Sequence, residues 1–202
     1  MEEWLTRNEE AKRNAEQAKQ DRLRRIRATD PAKMICVDVE TTGLSSIEDE
    51  ILQLSIIDGN SKVLFNEYIR PKGIAEWPEA EAINHISPTM VEDKTTIDAY
   101  LPQLNDIFSA AELIVGYNID AFDLFFIKEA GIHVPEDTMT YDVMLEFAPV
   151  YGEWNDYFQE YRWQKLAVCA DYYGYQSHGS FHDSLEDVRA TLHCFYTMTR
   201  DN

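Results

Sequence analysis

The sequence predicts an α/β fold in which a mixed central sheet of about five strands is flanked by helices. Short apolar runs bounded by turn residues begin at residue 34, and segments with helical periodicity alternate with strand-like runs from residue 97 onward. Consecutive strands followed by alternating helices and strands are typical of helices packed on a mixed sheet. With 202 residues and 45% hydrophobic content, the chain can bury a full core.

The predicted elements follow in chain order. Residues 6–28 combine helix formers and alternating charge with a thin apolar stripe, which indicates a solvated helix. Strands are predicted at 34–39, 50–58, 62–70, 112–118 and 138–144. The second and third strands should form a hairpin with Gly59 and Asn60 at positive φ. Helices are predicted at 97–110, 121–131, 162–174 and 184–198, and a loop containing Pro78 and Pro88 should connect the hairpin to the first of them.

The chain divides into a charged N-terminal helical extension, residues 1–33, and a main domain, residues 34–202. The extension carries nine Lys/Arg and seven Asp/Glu, whereas the main domain carries nine and thirty, so its acidity accounts for the net charge of −19. We interpret the extension as a helical tail; the alternative is an arm that docks a partner or touches nucleic acid through its RLRRIR segment. An acidic surface repels a polyanion, so charge alone argues against nucleic acid unless metal ions are present.

Cysteine content and hydropathy predict the compartment. The three cysteines are widely separated and form no CxxC spacing, so neither a disulfide framework nor a zinc site is indicated. The charged N-terminus lacks the apolar region of a secretory signal, and no long apolar run predicts a membrane span. We therefore expect a cytoplasmic protein that is not embedded in a membrane.

Two carboxylates end the first strand, in the segment MICVDVETTG. Side chains two residues apart on a strand share a face, so Asp38 and Glu40 should point one way and Val37 and Val39 the other. Such a pair offers hard oxygen ligands at the end of a strand where α/β sheets bind substrates. The alternative is a strand end that emerges into water.

A second candidate carboxylate, Asp123, lies among Phe122, Phe125 and Phe126 in a helix that begins near Asn118 or Asp120. An acid that lies among large aromatic residues is less easily explained as a solvated side chain than an acid on a charged face. Asp120 competes as the ligand, although an Asp just before an apolar run is commonly a helix N-cap.

The third element is the segment FHDSLEDVRAT. Ser184 and Asp187 fit a capping pattern at a helix start, which is the structural interpretation of Asp187. His182, five residues before this acid, can exchange protons near neutral pH. Four carboxylates in one cleft would repel one another, whereas two divalent cations, Mg²⁺ or Mn²⁺, about 4 Å apart would neutralise them and serve phosphoryl chemistry.

These three motifs, in this order, resemble the DEDDh 3′-to-5′ exonucleases, which include the epsilon proofreading subunit of bacterial DNA polymerase III. The resemblance covers about residues 34–199 and implies a ribonuclease H-like fold for the domain at 34–202, which would be an exonuclease domain. It implies that Asp38, Glu40, Asp123 and Asp187 hold two divalent cations and that His182 takes a proton from the attacking water. Nucleoside 5′-monophosphates would leave from the 3′ end of DNA, or of RNA.

The resemblance also implies that Thr41 and Leu44 contact the terminal nucleotide; the alternative is that they form an ordinary turn punctuated by Gly43. The expected partners are a single-stranded or frayed 3′ end and a separate polymerase or other protein. The alternative function is a non-catalytic, exonuclease-like module that binds a polymerase or another partner. Proofreading, repair, RNA trimming and oligonucleotide clearance are not separable, because the motifs bind metal and phosphate rather than sugar or sequence.

A ring-rich segment, VYGEWNDYFQEYRW, lies between the second and third motifs. We expect its rings to pack into the core or to staple a loop. The alternative is that they stack on unpaired bases.

Overall fold

The computed structural model describes residues 2–176 and 183–200, in which five strands form one mixed sheet. The strands are β1 (Met34–Thr41), β2 (Ile51–Asp58), β3 (Val63–Tyr68), β4 (Leu113–Gly116) and β5 (Met139–Asp142). Their order across the sheet is β3-β2-β1-β4-β5. Strand β2 is antiparallel to both β1 and β3, and β4 and β5 run parallel to β1. The predicted mixed sheet of five strands is therefore confirmed.

Helices cover both faces of this sheet. They are α1 (Glu2–Arg27), α2 (Pro78–Asn84), α3 (Pro88–Val91), α4 (Ile97–Ala110), α5 (Asp123–Glu129), α6 (Val143–Tyr151), α7 (Leu166–Tyr172) and α8 (Ser184–Thr199). Helices α2 and α3 lie where a loop was predicted; each begins with a proline, whose fixed φ suits the first turn of a helix. Helix α6 was also missed, because its nearly continuous apolar sequence carries no amphipathic period.

Two hydrophobic layers sandwich the sheet. On one face, Val37 and Val39 pack with buried residues of α4 and α5. On the other face, Cys36 packs with Val188 and Phe195 of α8. The alternation predicted along β1 is confirmed, and it places Asp38 and Glu40 on the α8 face.

The last turns of α1 pack against the sheet. Ile26 is fully buried in the α8-side layer. Arg22 donates through Nη2 to the backbone oxygen of Thr140 at 2.7 Å and through Nη1 to Glu146 Oε1 at 3.3 Å. Residues 9–20, by contrast, are exposed to solvent, and Asp21 is half-buried. Part of the basic RLRRIR segment thus holds the helix on β5 and α6. None of the helices in the described ranges has the length and apolar character needed to cross a bilayer.

The β2–β3 hairpin differs from the prediction at its turn. Positive φ occurs at Ser61, with φ 65°, rather than at Gly59 or Asn60. The Asp58 carboxylate closes the turn by accepting hydrogen bonds from the backbone N–H groups of Asn60 and Lys62 at 2.8 and 2.9 Å. Gly59 has a different requirement: a Cβ there would lie 2.7 Å from the backbone oxygen of Pro31.

Candidate active site

The register of β1 against β2 builds a polar patch on the α8 face of the sheet. Asp38 lies opposite Ser55, and Glu40 lies opposite Gln53. Directly opposed residues of an antiparallel pair share a face, so all four side chains point toward α8. Ser55 and Gln53 are buried, whereas Asp38 and Glu40 are half-buried.

Asp123 is held beside this patch by the backbone of β1. Pairing between β1 and β4 covers Met34 to Cys36, so the later part of β1 has no strand on that side. The N–H of Val39 instead donates to Asp123 Oδ1 at 3.0 Å. Asp123 is buried at the first position of α5, whose N-cap is Phe122. The carboxylate therefore takes the place of a neighbouring strand as a hydrogen-bond acceptor.

Asp120, the competing candidate, is neither buried nor held by the backbone of β1 as Asp123 is. It is exposed, and it lies three residues before α5 begins, so its interpretation as an N-cap is wrong. The loop around it is organised by Asp142, whose carboxylate accepts from the N–H groups of Asn118 at 3.1 Å, Asp120 at 3.4 Å and Met144 at 3.0 Å. Sequence reasoning missed Asp142, although an Asp before an apolar run is a recognisable cap signal.

The start of α8 is fixed to β2 by side-chain hydrogen bonds. Its N-cap is Asp183, which accepts from Leu185 N at 3.2 Å and from Gln53 Nε2 at 3.3 Å. The predicted cap, Ser184, is instead the first helical residue, and its hydroxyl lies 2.6 Å from that of Ser55. Since Ser55 donates to Asn66 Oδ1 at 2.9 Å, Ser184 is the donor in this bond.

This attachment brings Asp187 to the end of β1. Asp187 is buried in the first turn of α8. One carboxylate oxygen from each of Asp38, Glu40 and Asp187 lies within 4.8 Å of the other two. Oxygen ligands of one divalent cation, at about 2.0–2.6 Å from the ion, are separated by distances of this size. His182 lies outside the described residues, and Asp123 adjoins this group without belonging to the tight set of three.

Burial is the main cause that raises the pKa of each of these carboxylates, and neighbouring acids add to it. Burial, together with the charges of Asp123 and Asp187, holds the pKa of Asp38 well above its usual range. Burial and the charge of Asp187 raise the pKa of Glu40 to about 8. Burial raises the pKa of Asp123 to about 7, despite its hydrogen bond from Val39.

Within the described ranges, no Lys or Arg forms an ion pair with Asp38 or Glu40. Ionised carboxylates that are packed together are costly, and a divalent cation with a preference for oxygen ligands offsets that cost. The donor set and its spacing therefore fit Mg²⁺ or Mn²⁺.

The two predicted substrate-contact residues have different environments. Thr41 is buried, and its hydroxyl donates to the backbone oxygen of Gly43 at 2.6 Å. Leu44 is 87% exposed. The loop that carries Leu44 is held by Asp49, which accepts from the Thr42 hydroxyl at 3.0 Å and lies where a Cβ on Gly43 would be.

The ring-rich segment forms a small hairpin of β6 (Trp154–Asn155) and β7 (Glu160–Tyr161). We call residues 154–163 the aromatic hairpin. The prediction that its rings enter the core is wrong, because its five large aromatic side chains are all exposed: Trp154, Tyr157, Phe158, Tyr161 and Trp163. Trp154 and Tyr161 do contact each other across the strands, with ring centroids 5.1 Å apart.

Comparison with known proteins identifies the family. A family model described as exonuclease, RNase T, matches residues 35–195. The chain belongs to the RNase T family of exonucleases. RNase T family members are hydrolases of phosphodiester bonds, so the acidic site lies in a domain of the expected enzyme class.

Two curated relatives of this chain are much longer proteins. The PolC-type DNA polymerase III of Caldanaerobacter subterraneus subsp. tengcongensis is 27% identical over 171 residues, which are 82% of this chain and 11% of that protein. The Clostridium perfringens PolC-type DNA polymerase III is 33% identical over 98 residues, 47% of this chain and 7% of that protein. The chain thus spans at most about a tenth of the length of these two relatives.

Solved structures with a similar fold include two nucleases bound to DNA. E. coli Exonuclease I in complex with a dT13 oligonucleotide has a TM-score of 0.62 and 21% identity, covering 79% of this chain and 39% of that one. Exonuclease X in complex with 5′ overhanging duplex DNA has a TM-score of 0.58 and 20% identity, covering 82% and 90%. At these identities the likeness confirms the predicted ribonuclease H-like fold.

Proposed function

We propose that the chain is a two-metal-ion 3′-to-5′ exonuclease that releases nucleoside 5′-monophosphates from the 3′ ends of DNA, with RNA as the alternative substrate. The observation that carries this proposal is the group of Asp38, Glu40 and Asp187, whose oxygens lie within 4.8 Å of one another in an exonuclease-family domain. This acidic triad brings together carboxylates from two elements of the fold, β1 and α8, and a bound cation would offset the cost of crowding them.

The four carboxylates divide naturally between two cation positions. Asp38, Glu40 and Asp187 would hold one cation, and Asp38 and Asp123 would hold the other, directly or through water. Because one Asp123 oxygen already accepts from Val39 N, the other oxygen is the one available to a ligand. The cations would supply Lewis-acid activation of water and stabilisation of the leaving 3′ oxygen.

The remaining residues would handle the proton and the substrate. His182 would accept the proton of the attacking water, since imidazole titrates near neutral pH. Leu44, which is exposed beside the end of β1, would pack on the terminal nucleotide. Thr41 would contribute through its backbone, because its side chain is buried and bonded to Gly43.

The acidic charge of the chain bears on its partners. A net charge of −19 opposes binding of a polyanion at long range, so the enzyme would grip a few terminal nucleotides or receive the strand from a protein partner. The exposed residues of 9–21, in the extension that we separate at residue 33, would be available to such a partner. A polymerase fits this role, since PolC-type polymerases contain the related domain.

The test is digestion of 5′-labelled single-stranded DNA and RNA with EDTA, Mg²⁺ or Mn²⁺. We expect a ladder that shortens from the 3′ end, only with metal, and that is lost in Asp187→Asn. The matched control is Asp120→Asn, which removes an exposed acid and should retain activity. Equal activity in Asp187→Asn would assign the cleavage to another protein, and no cleavage of either substrate would favour the non-catalytic module.

A further inference from the structure

The aromatic hairpin is fastened at its base by a network around Glu153. The Glu153 carboxylate pairs with Arg162 Nε at 3.5 Å and accepts from Gln164 Nε2 at 3.2 Å. The backbone oxygen of Glu153 accepts from Arg162 N at 2.8 Å. Three contacts from one residue give the two arms of the hairpin a defined separation. This segment is therefore a built element rather than a loose loop.

The tip of the hairpin is equally well defined. Asn155 Oδ1 accepts from the N–H groups of Tyr157 and Phe158 at 3.0 and 3.3 Å, and Asn155 O accepts from Gln159 N at 2.9 Å. This turn presents Tyr157 and Phe158 to solvent, 86% and 65% exposed. A rigid turn that displays two rings has already lost the conformational entropy that binding would otherwise cost.

The hairpin adjoins the catalytic edge of the sheet. Tyr117 follows the carboxyl end of β4, and its hydroxyl donates to the backbone oxygen of Gln164 at 2.7 Å. Strand β4 runs parallel to β1, so its carboxyl end lies at the same edge as Asp38 and Glu40. The chain that leaves the hairpin is thus tied to the edge where the 3′ end would be hydrolysed.

The chemistry of the surface selects its ligand. Phe158, Tyr161 and Trp163 line an open cavity of about 530 Å³, together with Asn155, Glu160 and Arg162. Arg162 is engaged by Glu153, and Asp156 and Glu160 add negative charge to the same segment. Because Glu153, Asp156 and Glu160 outnumber Arg162, the net charge of this surface disfavours a phosphate, whereas every unpaired base offers a flat face to an aromatic ring.

We propose that the aromatic hairpin binds the single strand upstream of the 3′ end by stacking its rings on unpaired bases. This inference rests on the proposed exonuclease function and adds a strand-binding subsite to it. It explains how a chain of net charge −19 could retain a polyanion: the bases supply the attraction that the phosphates cannot.

The test measures binding without hydrolysis, using fluorescence anisotropy of 5′-fluorescein dT12 in EDTA. The double variant Tyr157→Ala/Phe158→Ala should lose at least about tenfold in affinity, because each base stacked on a ring typically contributes about fivefold or more. Tyr157→Phe keeps the ring and should bind as the wild type does. Tyr172→Ala, which removes an exposed ring on α7, is the matched control and should also bind normally.

Salt provides a second readout. If stacking dominates, affinity should not fall between about 50 and 200 mM salt, whereas phosphate contacts would weaken binding steeply over that range. Wild-type affinity in the double variant, equal loss in Tyr157→Phe, or a steep salt dependence would each overturn the stacking proposal. If the double variant binds the strand with wild-type affinity, the exposed rings would instead be assigned to contact with a protein partner.

The same variants separate this proposal from the proposed function. With Mg²⁺, the double variant should hydrolyse a trinucleotide at the wild-type rate and a 12-mer less efficiently, because only the longer strand reaches the hairpin. Ring-dependent binding with no hydrolysis of any substrate would remove the enzyme and keep the subsite. Hydrolysis by a protein whose binding does not depend on the rings would keep the proposed exonuclease function and remove the strand-binding subsite.

Discussion

Replacing Glu40 by glutamine should stabilise the metal-free protein at pH 8 and leave it nearly unchanged at pH 5. The pKa of Glu40 is about 4.5 in an unfolded chain and rises to about 8 in the folded protein. Between these values the folded state binds the proton more tightly than the unfolded state. The stabilising effect of that proton is complete below about pH 4.5 and is lost as the pH rises through about 8.

The magnitude follows from the width of this window. Each pH unit within it lowers the free energy of unfolding by up to about 1.4 kcal/mol, so about three units amount to about 4 kcal/mol. Because Glu40 is partly open to water, we halve this figure to about 2 kcal/mol. For a domain of this size, that corresponds to about 4–8 °C in melting temperature.

The assay compares thermal melts of the wild type and Glu40→Gln in EDTA from pH 5 to pH 8. Subtracting the two profiles cancels the contributions of the other titrating groups that the substitution leaves unaltered. We expect the variant to gain stability relative to the wild type as the pH rises, and Mg²⁺ to reverse that gain because it favours the ionised carboxylate. A difference that stays flat, or that favours the wild type at pH 8 in EDTA, would refute the account of a crowded cluster of carboxylates.

Three further predictions concern the framework around the site. Ser55→Ala should lower the free energy of unfolding by about 1–3 kcal/mol in urea melts, since it leaves the Ser184 hydroxyl buried without its acceptor, and the Ser55→Ala/Ser184→Ala double variant should cost less than the two single effects summed. Ile26→Ala should cost about 2–5 kcal/mol because this residue of α1 is fully buried; a loss below about 0.5 kcal/mol would contradict its role in the core. Asp123→Asn should reduce kcat at least about tenfold while Asp120→Asn retains it, and the opposite order would assign the second motif to Asp120.

Local patterns were sufficient to predict most of the sheet. Alternation in MICVDVE predicted which face of β1 carries Asp38 and Glu40, because side-chain direction on a strand depends only on its period of two. The same logic could not predict Gln53 or Ser55, which lie beside these acids only because β2 pairs with β1 in one particular register. Register depends on the whole sheet and leaves no local signal.

Errors in the site have similar causes. Ser184 fits the capping pattern in the sequence, but Asp183 occupies the N-cap position of α8. Asp183 also accepts a hydrogen bond from Gln53, and these two residues are 130 apart in the chain. The exposure of the aromatic hairpin was missed because large rings are usually buried, and whether a core exists beneath them is a tertiary property.

The measurement that tests the central claim most directly follows metal binding and hydrolysis in the same samples of wild type and Asp38→Asn. Mn²⁺ is titrated by calorimetry while release of nucleotides from a 5′-labelled strand is recorded at each concentration. The account predicts that the wild-type chain binds two ions and that hydrolysis from the 3′ end rises with their occupancy. It predicts that Asp38→Asn loses both the metal binding and the hydrolysis. Ions that bind without hydrolysis, or hydrolysis that persists in Asp38→Asn, would contradict it.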